Sequence, residues 1–107
     1  MAKVIQYDKL VRDKVPDLIA ASGKQCLIET LSEKEYLKKL DEKLDEELAE
    51  YHKDHTLEEL ADLLEVILAA AAAQGCSADE LEKIRSEKAR KRGGFEQRLM
   101  LRDVIED

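Results

Sequence analysis

The stretch Ser32–Gly75, SEKEYLKKLDEKLDEELAEYHKDHTLEELADLLEVILAAAAAQG, decides the fold. It holds two capping boxes, Ser32-x-x-Glu35 and Thr56-x-x-Glu59. In such a box the hydroxyl and the acid three residues on satisfy backbone donors that a helix start leaves free. The first box predicts a helix from about Glu33 to Lys53, and the second a helix ending near Gln74-Gly75. Leu37, Leu40, Leu44, Leu48 and Tyr51 form one apolar stripe on the first helix. Leu57, Leu60, Ala61, Leu64, Ile67, Leu68 and Ala71 form a wider face on the second. These spacings are helical. The short connection His52 to His55 predicts an antiparallel hairpin closed by those two faces.

Outward from the hairpin, Ser77-x-x-Glu80 is a third box and predicts a helix to about Arg92, stopped by Gly93-Gly94. Upstream, Lys9 to Ala21 predicts a first helical stretch with Asp8 as its cap. Pro16 breaks it and starts a fresh turn at Val15–Asp17, and Ser22-Gly23 ends it. Residues 1–8 are an irregular lead-in. Cys26–Thr30 and the loose alternation of Phe95–Val104 predict two short strands paired as a ribbon, with Phe95 in the core. The expected architecture is therefore mainly all-α. It is one domain over residues 1–107, a hairpin or bundle of about four helices with a small two-stranded ribbon.

Composition supports this class. Of the 107 residues 40% are charged, against about 25% in an average domain. There is no Trp, one Phe and three Tyr, too few aromatic residues for a β-sandwich or barrel. The net charge of −7 argues against nucleic acid and anionic membranes as partners. Met1–Leu10 lacks the apolar core of a signal peptide, and Val66–Ser77 is too short to cross a bilayer. Cys26 and Cys76 lack metal-site spacing and read as reduced, buried thiols of a cytoplasmic protein. A chain this small and rich in Ala buries a limited core, and Ala69–Ala73 lets another backbone come close. Both features point to a homodimer or a higher oligomer.

The acids are the functional question. On a wheel of about 100° per residue, Glu47 lies at the edge of the first apolar stripe. Glu50 is about 60° further round, and Glu46 points on toward solvent. Glu59 and Asp62 sit together beside the second apolar face, while Glu58 and Glu65 group on a more exposed side. Packing the hairpin brings Glu47 and Glu50 opposite Glu59 and Asp62. Four carboxylates in one small space are costly unless protonated, paired or bound to a cation. An all-oxygen ligand set suits Mg²⁺ or Mn²⁺ rather than Zn²⁺. The competing reading is a solvated acidic surface on a non-enzymatic helical module. Acid pairs three residues apart, such as Glu42/Asp45, arise by chance in so charged a chain.

Lys9, Arg12 and Lys14 place three cations in six residues. They read as a phosphate clamp, with Arg12 favoured by its fork geometry, or as a solvated face paired with Asp8 and Asp13. Lys88, Arg90, Lys91 and Arg92 suit the negative end of a helix, and Lys88 or Arg92 could also contact phosphate. His52 and His55 have no third ligand to support a metal and are expected in solvent.

Three segments together resemble a known superfamily. Glu46-Glu47-x-x-Glu50 followed by Glu59-x-x-Asp62 resembles the metal motif of the all-α nucleoside triphosphate pyrophosphohydrolases, the MazG-like proteins. Tyr7–Pro16, YDKLVRDKVP, looks like the opening KLVRDKIP of a small branch described as house-cleaning phosphatases. Arg92-Gly93-Gly94-Phe95 looks like that branch's closing RGGF. Only eight residues separate Glu50 from Glu59, which shortens the hairpin loop and keeps both pairs at its mouth. The resemblance implies Mg²⁺-dependent cleavage of a nucleoside triphosphate between the α and β phosphates, giving a monophosphate and pyrophosphate. It implies Glu47, Glu50, Glu59 and Asp62 as metal ligands. Catalysis would involve Glu46, Glu47 and Glu50, one of them orienting or deprotonating the attacking water. Lys9, Arg12, Lys14, Lys88 and Arg92 would bind substrate. It also implies dimers or tetramers. The alternatives are an enzyme like the superfamily's phosphoribosyl-ATP pyrophosphohydrolases, or a non-catalytic helical module for nucleotide sensing or oligomerisation.

Overall fold

The computed structural model describes residues 3–107 and is all-α, with four helices: α1 (Val15–Ala21), α2 (Glu33–Asp54), α3 (Leu57–Ala73) and α4 (Ala78–Arg92). The three boxes form as expected. Ser32, Thr56 and Ser77 accept the backbone N–H of Glu35, Glu59 and Glu80 at 3.2, 3.2 and 3.1 Å. The hydroxyls of Ser32 and Ser77 also donate to the carboxylates of Glu35 and Glu80.

The first helix is shorter than expected. It starts at Val15, the residues from Lys9 onward being irregular, and Asp8 caps nothing, its φ being 47°. Pro16 explains the start. Its ring clashes with the carbonyl four residues back, so a helix running through 9–15 cannot continue across it. The lead-in is irregular over 3–8; Met1 and Ala2 lie outside the described residues.

The expected ribbon does not form. Among the described residues there is no strand, and both 26–30 and 95–104 lack a ladder partner. A strand is held by a neighbour's N–H and C=O groups, and alternation alone does not supply one. Two burial expectations fall with it: Phe95 is 98% exposed and Cys26 is exposed, while Cys76 is half-buried.

The packed unit is the α2–α3 hairpin. Its buried centre is only Leu40 of α2 and Val66 of α3, 4% and 9% exposed. This corrects the expected contact face of α3. Leu57, Leu60, Leu64 and Ile67 remain open, and the side turned to α2 is the opposite one, centred on Val66. Half-buried Ala69, Ala70 and Ala73 share that side. They form a strip of small side chains that lets α2 come close.

The α4 helix leaves α3 through a bend of 107° and touches no residue of α2. With the segments at each end extended, the chain measures 72 × 31 × 25 Å and has a radius of gyration of 19.0 Å. A compact domain of this length would have about 13 Å. No single described helix is long and apolar enough to cross a membrane.

Candidate metal centre

A two-residue turn builds the centre. Asp54 closes α2, and His55 takes the left-handed conformation (φ 52°) and donates its N–H to the Tyr51 carbonyl at 2.7 Å. Thr56 then caps α3 by holding the Glu59 N–H. The reversal is tighter than the expected His52–His55 loop, so the last turn of α2 faces the first turn of α3. His52 and His55 are exposed, as expected, with the Tyr51 ring packed edge-on to His55 at 5.0 Å.

The carboxylates converge in two overlapping groups. Oxygens of Glu47, Glu59 and Asp62 lie within 4.8 Å of one another, and so do oxygens of Glu50, Asp54 and Glu59. Three of the four expected ligands, Glu47, Glu59 and Asp62, meet in one group at the hairpin mouth, while Glu50 joins Asp54 in the other, with Glu59 shared by both. The side chain of Glu47 is 13% exposed, because it stands on the packed face of α2 rather than at its edge. Either group could hold a divalent cation through oxygen donors alone.

Asp54 is the member that sequence reasoning missed, because the helix was expected to end at Lys53. Its signal was present all the same. Glu47, Glu50 and Asp54 follow the i, i+3, i+7 spacing of one helix face. Lys43 was missed as well. Its ammonium lies 3.3 Å from Glu46 and 3.4 Å from Glu47.

Electrostatics divide the acids. Glu59 has its carboxyl raised above the usual range by partial burial, and then by the negative charges of Asp62, Glu50, Asp54 and Glu47. Like charges this close oppose ionisation. Glu46 behaves oppositely. Partial burial works against its charge, but hydrogen bonds and charge from Lys9 and Lys43 outweigh this and hold its carboxyl below the usual range. Glu46 does not point to solvent as the wheel suggested, because those two lysines hold it at the rim.

The N-terminal cations split. Lys9 donates to Glu46 at 3.1 Å, and Arg12 donates to Asp62 at 2.7 Å. The segment before α1 therefore lies across the acidic mouth. Lys14 is exposed and makes no ion pair among the described residues. Lys88 and Arg92 are not brought to the centre either. They line a shallow concavity of about 490 Å³ with Arg85, Gly93, Gly94 and Phe95, at the far end of α4. The ion pairs of α4 are internal: Arg85 with Glu82, and Arg90 and Lys91 with Glu87.

Comparison with known proteins adds little to this geometry. No protein-family model matches the chain, and no solved structure matches it. A curated protein of Mycolicibacterium smegmatis, described only as uncharacterized, is 60% identical over 42 residues. The match takes in 39% of this chain and 43% of that relative, so the chain spans less than half of the relative's length.

Proposed function

We propose that the chain is a Mg²⁺-dependent nucleoside triphosphate pyrophosphohydrolase that cleaves the α–β phosphate bond and clears unwanted nucleotides. The observation that carries this reading is the pair of carboxylate groups at the hairpin mouth, Glu47, Glu59 and Asp62 and then Glu50, Asp54 and Glu59, with Arg12 and Lys9 beside them. An oxygen-only donor set with several ionised members fits Mg²⁺, or Mn²⁺ in its place. Bound there, the cation would neutralise phosphate oxygens and make a coordinated water more acidic.

The chain's own residues have separable roles. Glu47, its side chain largely enclosed, would anchor the site. Glu59 and Asp62 approach from the facing helix, so both helices must stay packed for the centre to exist. Arg12 is half-exposed in its pair with Asp62. It could exchange that carboxylate for a phosphate oxygen at little cost, since an exposed pair contributes only about 0–1 kcal/mol. Glu46 is held ionised by Lys9 and Lys43 and would accept the proton of the attacking water, with Glu50 as the other candidate base. By the same resemblance, the chain would work as a homodimer or homotetramer.

The test is incubation with a panel of nucleoside triphosphates and Mg²⁺, with separate assays for pyrophosphate and orthophosphate. The expected products are a monophosphate and pyrophosphate, with turnover lost in Glu59→Gln. Release of orthophosphate instead, or no cleavage of any nucleotide, would overturn the reading.

A further inference from the structure

The chain leaves two apolar surfaces open that match each other and do not meet within one copy. The first is on α3, where Leu57, Leu60, Leu64 and Ile67 are between 39% and 80% exposed. They fall within about 80° on the helix, turned away from α2. The second is the arm after α4. Phe95, Leu99, Met100, Leu101, Val104 and Ile105 are between 70% and 98% exposed. A helix apolar on both sides belongs in an interior, and an arm with six open apolar side chains belongs against something.

Area gives the scale. The accessible surface is 10318 Å². A folded monomer of 12.2 kDa would expose about 6,100 Å². The surplus, about 4,000 Å² per copy, is ample for the roughly 2,000–5,000 Å² that an obligate homodimer buries in total.

Charge says what the occupant is. The α3 helix has four acids and no base, and two of them, Glu58 and Glu65, lie together beyond one edge of the open stripe. Residues 83–92, the end of α4, carry six bases and one acid, while the arm itself, residues 95–107, carries two bases and four acids. The bend of 107° and the absence of contact with α2 carry this basic end away from its own hairpin. A second copy offers the arm an apolar stripe and offers the basic end of α4 the opposite charge.

We propose that two copies exchange arms, residues 95–107 of each lying along the open Leu57–Ile67 stripe of the other with the basic end of α4 against the partner's acidic α3. Such an isologous contact closes on itself as a two-fold dimer. The inference shares with the proposed hydrolase only the expectation of a homo-oligomer. It needs neither metal nor substrate, so either can fail without the other.

Sedimentation of the full chain without metal should give twice 12.2 kDa at micromolar concentration. The combined change Phe95→Ser, Leu99→Ser and Leu101→Ser should weaken association roughly tenfold or more with helical circular dichroism kept. Lys88→Glu with Arg92→Glu should weaken it in a salt-sensitive way. A monomer at these concentrations overturns the proposal, and so does a dimer unmoved by the arm changes. A cross-link covers the case of misfolding. Cys26→Ser and Cys76→Ser are placed in two differently tagged full chains, one with Leu64→Cys and the other with Leu101→Cys. A disulfide between the tags is expected, since it needs the two Cα atoms within about 7 Å. A disulfide that forms only when both changes sit in one chain means that the arm folds back on its own hairpin, and refutes the exchange.

Discussion

The α2–α3 hairpin and α4 start from the same local chemistry and end differently. Each of their helices opens on a hydroxyl cap with an acid three residues on, and each cap forms. The hairpin nevertheless encloses Leu40 and Val66 and gathers the acids, while α4 keeps Ile84 more than half exposed and pairs its charges internally. The contrast separates two effects. Capping decides that a helix forms, and apolar area shared with a neighbour decides whether it stabilises anything else.

Core truncation should widen this contrast most. Leu40→Ala should destabilise the chain by about 2–5 kcal/mol, the usual result of emptying a filled site. Ile84→Ala should cost less than about 1 kcal/mol if α4 stands free. Urea unfolding followed by circular dichroism compares the two. Equal losses would mean that α4 is covered as deeply as the hairpin, by another copy.

Metal binding comes next. Glu59→Gln removes the carboxylate common to both groups and should lower Mn²⁺ affinity more than tenfold by calorimetry, in line with what lesser changes around metal sites do. Glu80→Gln, the matching box position of α4, should leave that affinity unchanged. A loss with Glu80→Gln would place cations on helix starts in general rather than at the hairpin mouth.

The pH dependence has a defined sign. Glu59 has a raised carboxyl in the folded chain. Its protonated form therefore favours folding, and that contribution is present below its unfolded value of 4.5 and lost as pH rises through the higher folded value. Glu46 is lowered. Its contribution is present above 4.5 and lost as pH falls through its folded value. In metal-free protein, Glu59→Gln should raise the thermal midpoint at pH 7 and have little effect near pH 4. Glu46→Gln should lower it at pH 7. Midpoints that move together in the two variants would mean that the lysines at Glu46 and the acids at Glu59 form one field.

The cap gives the smallest effect. Thr56→Ala should cost about 1 kcal/mol and also loosen metal binding, because the same bond fixes the first turn that carries Glu59. Ser77→Ala should cost a similar amount with no effect on metal. Calorimetric titration and thermal melts on both variants separate the structural effect from the positional one.

Much of this was legible in the residues. The boxes at Ser32, Thr56 and Ser77 and the short reversal after Tyr51 follow from spacing, because helix periodicity is local and a two-residue turn leaves little freedom; the meeting of the acids was expected from packing a face of α3 that in fact stays open. Asp54 escaped only through an error of one residue in a helix end. Phe95 and the ribbon failed for a different reason. Alternation names a segment able to pair but not a neighbour, and among the described residues neither segment meets one.

By itself the sequence determined the helices, their caps and which acids share a helix face, since each depends on bonds within a few residues. Only the tertiary structure decided which side of α3 faces α2. Leu57, Leu60, Leu64 and Ile67 make the more apolar side, and α2 packs on the other. The small side chains of Ala69, Ala70 and Ala73 around Val66 admit a close backbone there, and that same side carries Glu59 and Asp62 to Glu47. Hydrophobicity ranks the faces of a helix, but shape and the positions of the chain's other elements choose among them.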